Sequence, residues 1–199
     1  MRLDFLDRPY VWEGTRIALD AMFGLYRRRL ATLRRWGLLE GHPSVIDIGC
    51  GIGQYAAVTD GEYLGIDLNP RYIEYAQHRR GGPRRSFRQA DARTIGNENH
   101  RFDIVLMVDF LHHLPDDTCH ELLEHAVRLA RRHVVSFEPV EEQGNRVGRW
   151  IIDNDRGHHM RPLIEFERLV EAAPLRVDRH EGLRLGPIGT RAVLATPSH

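Results

Sequence analysis

Short apolar runs and amphipathic stretches alternate along the middle of the chain. Residues 44–48, 63–67 and 102–108 read as strands. The last of these is apolar on both faces, as in a parallel sheet covered on both sides. Residues 86–90 make a weaker strand and 133–138 a fifth. Helical stretches lie between them, at 54–58, at 70–79 behind Pro70, and from Asp116 or Asp117, as the cap, through Leu129. This alternation predicts an α/β fold with a doubly wound, mostly parallel sheet and helices on both faces.

The flanks follow other rhythms. From residue 14 to 36, Ile17, Met22, Phe23, Leu25, Tyr26, Leu30 and Leu33 recur at helical spacing between arginines, and Gly37 is a stop signal. One helix, or two broken near Gly24, fits that pattern. Residues 141–161 are polar and glycine-bearing around Ile151 and Ile152. Residues 162–173 read as a helix, and 175–180 and 191–196 as two last strands. The link between those strands is short, so they predict an antiparallel C-terminal hairpin, seven strands in all.

The first strand runs into Asp47-Ile48-Gly49-Cys50-Gly51-Ile52-Gly53-Gln54-Tyr55. Glycine lets backbone approach a ligand where a Cβ would clash, and a helix starting behind it would offer unpaired N–H groups. A dinucleotide fingerprint needs G-x-G-x-x-G, and Gln54 stands where its last glycine would be. That argues against a nicotinamide-dependent dehydrogenase. Ligands of open α/β sheets sit at the carboxyl ends of the strands, and here those ends carry Asp67, Asp91 and Asp109. A carboxylate can accept both hydroxyls of a vicinal diol, which suits Asp67 to a ribose, and Asp91 can accept from an exocyclic amine. Asp47 can hold the turn's N–H groups or meet a ligand's ammonium through water.

Composition narrows the classes. Acids and bases balance at 28 each, so no overall field argues for nucleic acid or an anionic membrane surface. Every base is arginine, which removes the P-loop lysine, the Schiff-base lysine and the lysine general base. The two cysteines, Cys50 and Cys119, have no metal or redox spacing and fit a reducing compartment. Acids near the N-terminus, and no apolar run of about 20 residues, predict a cytoplasmic protein rather than a membrane one.

The D-x-G-x-G-x-G turn, Asp67, Asp91-Ala92 and the segment Asp109-Phe110-Leu111-His112-His113-Leu114-Pro115-Asp116 together resemble the class I S-adenosylmethionine-dependent methyltransferases of the small "type 11" kind. The likeness is strong over residues 40–140 and elsewhere holds only in element order. It implies a Rossmann-like domain over 1–199, with 1–40 as a helical lid or cap, 41–140 as the cofactor core, and 141–199 as a substrate-side segment with the hairpin. It implies S-adenosyl-L-methionine as cofactor, S-adenosyl-L-homocysteine as product, and no metal. The cofactor residues it implies are Asp47, Gly49, Cys50, Gly51, Gln54, Tyr55, Asp67, Leu68, Asp91, Ala92 and Val108. Asp67 would hold the ribose and Asp91 the adenine amine.

The catalytic residue is not legible, because an in-line attack on a sulfonium methyl needs mainly positioning. His113 and His159 are the candidate bases, since an unperturbed imidazole titrates near neutrality. His112, His158, Glu138 and Arg161 are not placed by the pattern. The expected activity is methyl transfer to an O, N or C nucleophile of a small-molecule acceptor. The alternatives are a nucleic-acid or protein methyltransferase, for which Arg79, Arg80, Arg84, Arg85 and Arg88 would be the contact patch, and a cofactor-binding protein that transfers no methyl group.

Overall fold

The computed structural model of the 199-residue chain describes residues 8–95, 101–140, 159–185 and 188–198. The chain divides into two compact units, Met1–Asp91 and Ala92–His199. The strands are β1 (Val45–Ile48), β2 (Tyr63–Asp67), β3 (Arg85–Gln89), β4 (Phe102–Val108), β5 (Ala130–Val140), β6 (Leu175–Leu185) and β7 (Ile188–Pro197). The doubly wound α/β class expected from the alternation is the observed class.

In the first unit α1 (Pro9–Phe23) and α2 (Leu25–Arg35) precede β1, and α3 (Pro70–Arg80) links β2 to β3. The helical pattern of the N-terminal segment is two helices because Gly24 takes left-handed dihedrals, φ 67° and ψ 33°. The Gly24 N–H closes α1 on the Asp20 carbonyl at 2.7 Å, and the Asp20 carboxylate accepts the Tyr26 N–H at the start of α2, also at 2.7 Å. The periodicity placed the helical start at residue 14; it lies at Pro9, where a missing N–H costs nothing. Strands β1 and β3 flank β2 and run parallel to it, with Val45 beside Tyr63 and Tyr63 beside Arg85. Every position of β1 is buried.

In the second unit β4 and β5 are parallel, and β7 is antiparallel to both β5 and β6. Helix α4 (Asp116–Leu129) buries Cys119, Leu122, Leu123, Ala126 and Leu129, the three- and four-residue stripe of a core-facing helix. Its N-cap is Pro115. Asp116 and Asp117 lie in its first turn, where a carboxylate favours the helix dipole, and neither is the cap expected from the sequence. Helix α5 (Leu163–Glu171) precedes the hairpin. The hairpin strands are longer than their apolar cores suggested: the pairing of Gly182 with Arg191 and Leu183 with Thr190 continues through residues read as a link.

Candidate functional site

The glycine turn is built by three left-handed residues, with φ of 73°, 53° and 76° at Gly49, Gly51 and Gly53. Left-handed backbone at alternate positions cannot propagate a right-handed helix. The helix expected over 54–58 is not formed, and successive turns stand in its place. Their bonds span three residues: Gly53 N–H to Cys50 O at 2.9 Å, Ala56 N–H to Gly53 O at 3.1 Å, and Val58 N–H to Tyr55 O at 2.9 Å. The glycines also differ in purpose. A Cβ on Gly53 would stand 2.6 Å from the Phe87 ring, so this glycine serves packing against β3. A Cβ on Gly51 would meet nothing within 4 Å. Here the backbone faces open space, the room a bound group needs to approach it.

The Gly51 N–H donates to Asp67 Oδ2 at 2.9 Å, and the Asn69 N–H donates to Asp67 Oδ1 at 2.8 Å. Both oxygens of this carboxylate are thus aimed by backbone and keep further lone pairs for a ligand. Burial pushes the Asp67 carboxyl above the usual range, against the pull of the Asn69, Gly51 and Leu68 N–H groups. The next residue, Leu68, is an apolar side chain 65% exposed. Asp91 is half-buried at the end of the unit.

Asp47 has a different environment from the one its position suggested. It is buried and accepts the Tyr63 hydroxyl at 2.6 Å, across the β1–β2 pair. Burial lifts its carboxyl to about 7; the Tyr63 hydrogen bond opposes the rise and the Asp67 charge adds to it. The turn's Gly51 N–H goes to Asp67. Cys50 is buried, its thiol pushed up by burial, with Sγ 3.6 Å from the Gly51 carbonyl. Gln54 Oε1 accepts Arg16 Nε at 2.8 Å, and the buried Tyr55 hydroxyl accepts Arg29 Nη1 at 3.3 Å. Beside the turn a cleft of about 590 Å³ is lined by Glu13, Arg16, Ile17 and Asp20 of α1 together with Ile52 and Gln54. Glu13 accepts Arg80 Nη2 at 2.7 Å and also the Tyr75 hydroxyl, which ties α1 to α3.

In the second unit Ala92 is buried in a short 3-10 turn, and Val108 ends β4 at 8% exposure. The turn after β4 separates the adjacent histidines. His112 is buried with its Nδ1 2.9 Å from Glu138 Oε2, while His113 is exposed. His159 is exposed and donates its backbone N–H to His112 O at 3.0 Å. His158 and residues 141–157 lie outside the described residues. Of the arginine patch, Arg80 turns in to Glu13 and Arg84 donates to the Asp60 carbonyl at 3.1 Å; Arg79 and Arg88 are exposed. Among the described residues no group of three His, Cys, Asp or Glu side chains is placed to hold a metal, and no helix is long and apolar enough to cross a membrane. Sequence reasoning did not place Glu138 or Arg161 and missed the Asp47–Tyr63 pair. An acid within the apolar run Val134-Val135-Ser136-Phe137-Glu138 was the available signal for Glu138.

A parallel β1–β2–β3 layer whose first strand ends in a left-handed glycine turn, and whose second ends in a backbone-pinned acid, belongs to the Rossmann-like class of nucleotide-binding folds. Residues 45–133 match the family described as methyltransferase domain. The chain is 29% identical over 114 residues to the phthiotriol/phenolphthiotriol dimycocerosates methyltransferase of Mycobacterium leprae, covering 55% of this chain and 42% of that one. It is 29% identical over 127 residues to phosphoethanolamine N-methyltransferase 2 of Caenorhabditis elegans, covering 57% and 29%. The chain thus spans less than half the length of these curated relatives. The magnesium protoporphyrin IX methyltransferase of Synechocystis PCC 6803, solved with bound S-adenosylhomocysteine, shares the fold at a TM-score of 0.68 and 19% identity, over 100% of this chain and 89% of that one.

Proposed function

We propose that the chain binds S-adenosyl-L-methionine at the glycine turn and transfers its methyl group to an oxygen, nitrogen or carbon nucleophile of a small-molecule acceptor. The observation that carries this reading is the Asp67 carboxylate, pinned by the Gly51 and Asn69 N–H groups beside open backbone at Gly51. Asp67 would accept the ribose hydroxyls and the exposed Leu68 would lie against the adenine face. Asp91, with Ala92, would meet the exocyclic amine. Gly49, Cys50, Gly51, Gln54 and Tyr55 would line the rest of the cofactor, with the buried Asp47 supporting the end of β1. The bound cofactor supplies a methyl group on a sulfonium, a leaving group that needs no protonation.

The chain's own contribution is to hold the two partners in line and to exclude water. His113 and His159, both exposed, are the candidate bases where the acceptor must lose a proton; His113 is taken as the base because its ring lies against the His112 ring that Glu138 holds, with centroids 4.1 Å apart. The small-molecule assignment is supported by the relatives, whose names specify phthiotriol or phenolphthiotriol dimycocerosates and phosphoethanolamine. Two further observations weigh against the arginine patch as a nucleic-acid contact: Arg80 is paired with Glu13, and the formal charge balances. Isothermal titration with S-adenosylhomocysteine, followed by a screen of small hydroxy, amino and carboxy acceptors, tests the reading. Saturable binding and turnover support it. No binding at millimolar ligand overturns it, and binding without turnover of any acceptor removes the transfer step.

A further inference from the structure

The turn after β4 is gripped by two buried side chains of opposite charge that the proposed chemistry does not use. On its N–H side stands Glu138, 1% exposed. Glu138 Oε1 accepts the Phe110 and Leu111 N–H groups, both at 2.9 Å. Its Oε2 accepts the His112 N–H at 3.3 Å and lies 2.9 Å from His112 Nδ1. On the carbonyl side stands Arg161, 7% exposed. Its Nη1 donates to Leu111 O at 3.0 Å, its Nη2 to Leu114 O at 2.7 Å, and its Nε to Asp116 Oδ1 at 2.8 Å.

Taking a carboxylate out of water costs several kcal/mol unless hydrogen bonds replace its hydration. Here three successive N–H groups and an imidazole replace it. A solvated surface turn could leave the same N–H groups to water; this one has its amides and its carbonyls fixed by separate buried charges. The turn also begins on Asp109, a non-glycine residue at φ 50°, whose N–H is held by Phe137 O at 2.8 Å. Left-handed backbone outside glycine costs on the order of 1 kcal/mol and persists where its surroundings impose it. With Glu138 accepting three backbone N–H groups, its contact with His112 is completed by a proton on Nδ1, and the ring is held there. The His113 ring lies against it, with centroids 4.1 Å apart. Glu138 thus fixes His112, and His112 bears on the direction of His113.

We propose that Glu138 is a positioning residue for methyl transfer. It sets the turn at 110–113 and, through His112, the orientation of the His113 imidazole, with Arg161 holding the opposite side of the same turn. This rests on the assignment of His113 as base.

The test compares Glu138→Gln with the wild-type chain. Glutamine keeps the shape and one acceptor oxygen, but it presents an NH₂ where His112 presents a donor, so the imidazole must change tautomer. Three readouts are taken: S-adenosylhomocysteine affinity, steady-state kinetics with an acceptor from the screen, and imidazole ¹⁵N–¹H spectra. The expected result is cofactor affinity and acceptor KM within about twofold of wild type, and kcat lower on the order of 10²-fold, the scale of a misplaced reacting group. The His112 Nδ1–H resonance is lost and the His113 ring signals move. A kcat within twofold of wild type, or a loss of cofactor affinity equal to the loss of kcat, overturns the proposal. If the wild type turns over no acceptor, the methyl-transfer reading has failed, and the spectra still decide: moved His113 signals support positioning and unmoved signals overturn it. If Glu138→Gln does not fold, Arg161→Lys, which loses the forked contacts to the same carbonyls, is judged by the same readouts.

Discussion

Replacing Asp47 by asparagine separates the charge of this residue from its shape. Asp47 is buried in β1, and the Tyr63 hydroxyl donates to it at 2.6 Å. Burial is the main cause of its raised pKa, from 3.8 to about 7. A group whose folded pKa lies above its unfolded value contributes stability that is full below the unfolded pKa and is lost as pH rises through the folded one. For Asp47 the window runs from about pH 4 to about pH 7, and the folded state binds the extra proton within it. A rise of about three pH units, at ~1.4 kcal/mol each, amounts to ~4 kcal/mol of stability lost across that window. The asparagine in the variant keeps an acceptor oxygen for Tyr63 and does not titrate. Its NH₂ group needs a partner that the carboxyl did not, a fixed cost of about 1–3 kcal/mol. The assay is urea unfolding of both proteins from pH 5 to pH 9. Titrations of groups that do not interact with Asp47 are common to both chains and cancel in the difference, and Asp67, whose charge acts on Asp47, is the coupled exception. Asp47→Asn should gain on the wild type by about 3 kcal/mol between pH 5 and pH 7, at ~1.4 kcal/mol per pH unit, and the difference should level off above about pH 7. A stability difference independent of pH would refute the reasoning, since it would mean that Asp47 does not titrate with a raised pKa in the folded state.

Two further sites probe the same layer. Tyr63→Phe removes the hydrogen bond that opposes the rise of the Asp47 carboxyl, so the pH at which the Asp47-dependent difference develops should move upward; an unmoved midpoint would dissociate the two residues. Gly53→Ala combines left-handed backbone with a Cβ 2.6 Å from the Phe87 ring and should cost about 3 kcal/mol, or ~10 °C in Tm. Gly51→Ala meets no neighbour, so it should cost only ~1 kcal/mol in stability while lowering S-adenosylhomocysteine affinity at least tenfold. Equal losses of Tm in the two glycine variants, with cofactor affinity intact at Gly51, would show that both glycines serve packing.

The sheet was legible because burial on both faces leaves a continuous apolar run, as in Phe102–Val108, and each strand's carboxyl end was marked by an acid or a glycine. Helix α4 was legible from its stripe, though its cap was not, because an aspartate can stabilise a helix start from the first turn as well as from the cap position. The region after Gly53 was misread as a helix: residues 54–57 form turns, a difference that five residues of helical propensity do not reveal. Asp47 was read as holding the turn's N–H groups or meeting a ligand's ammonium through water. Its partner Tyr63 comes from the neighbouring strand, and only the pairing register reveals it. The network of Glu138, His112 and Arg161 joins residues distant in the chain. Each alone is an ordinary polar residue, and burial is what gives them meaning. The separation of His112 from His113 has the same origin: one faces Glu138 and the other solvent.

The central claim is that the Asp67 carboxylate and the open backbone at Gly51 hold S-adenosylmethionine. Isothermal titration of the wild-type chain and of Asp67→Ala with S-adenosylhomocysteine tests it most directly. Two charge-assisted hydrogen bonds to ribose hydroxyls, at about 1.5–3 kcal/mol each, predict an affinity at least about a hundredfold weaker in the variant, together with a lower Tm from the Gly51 and Asn69 N–H groups that lose the carboxylate. Unchanged affinity in Asp67→Ala would contradict the ribose assignment, and no binding to the wild type at millimolar ligand would contradict the cofactor site itself.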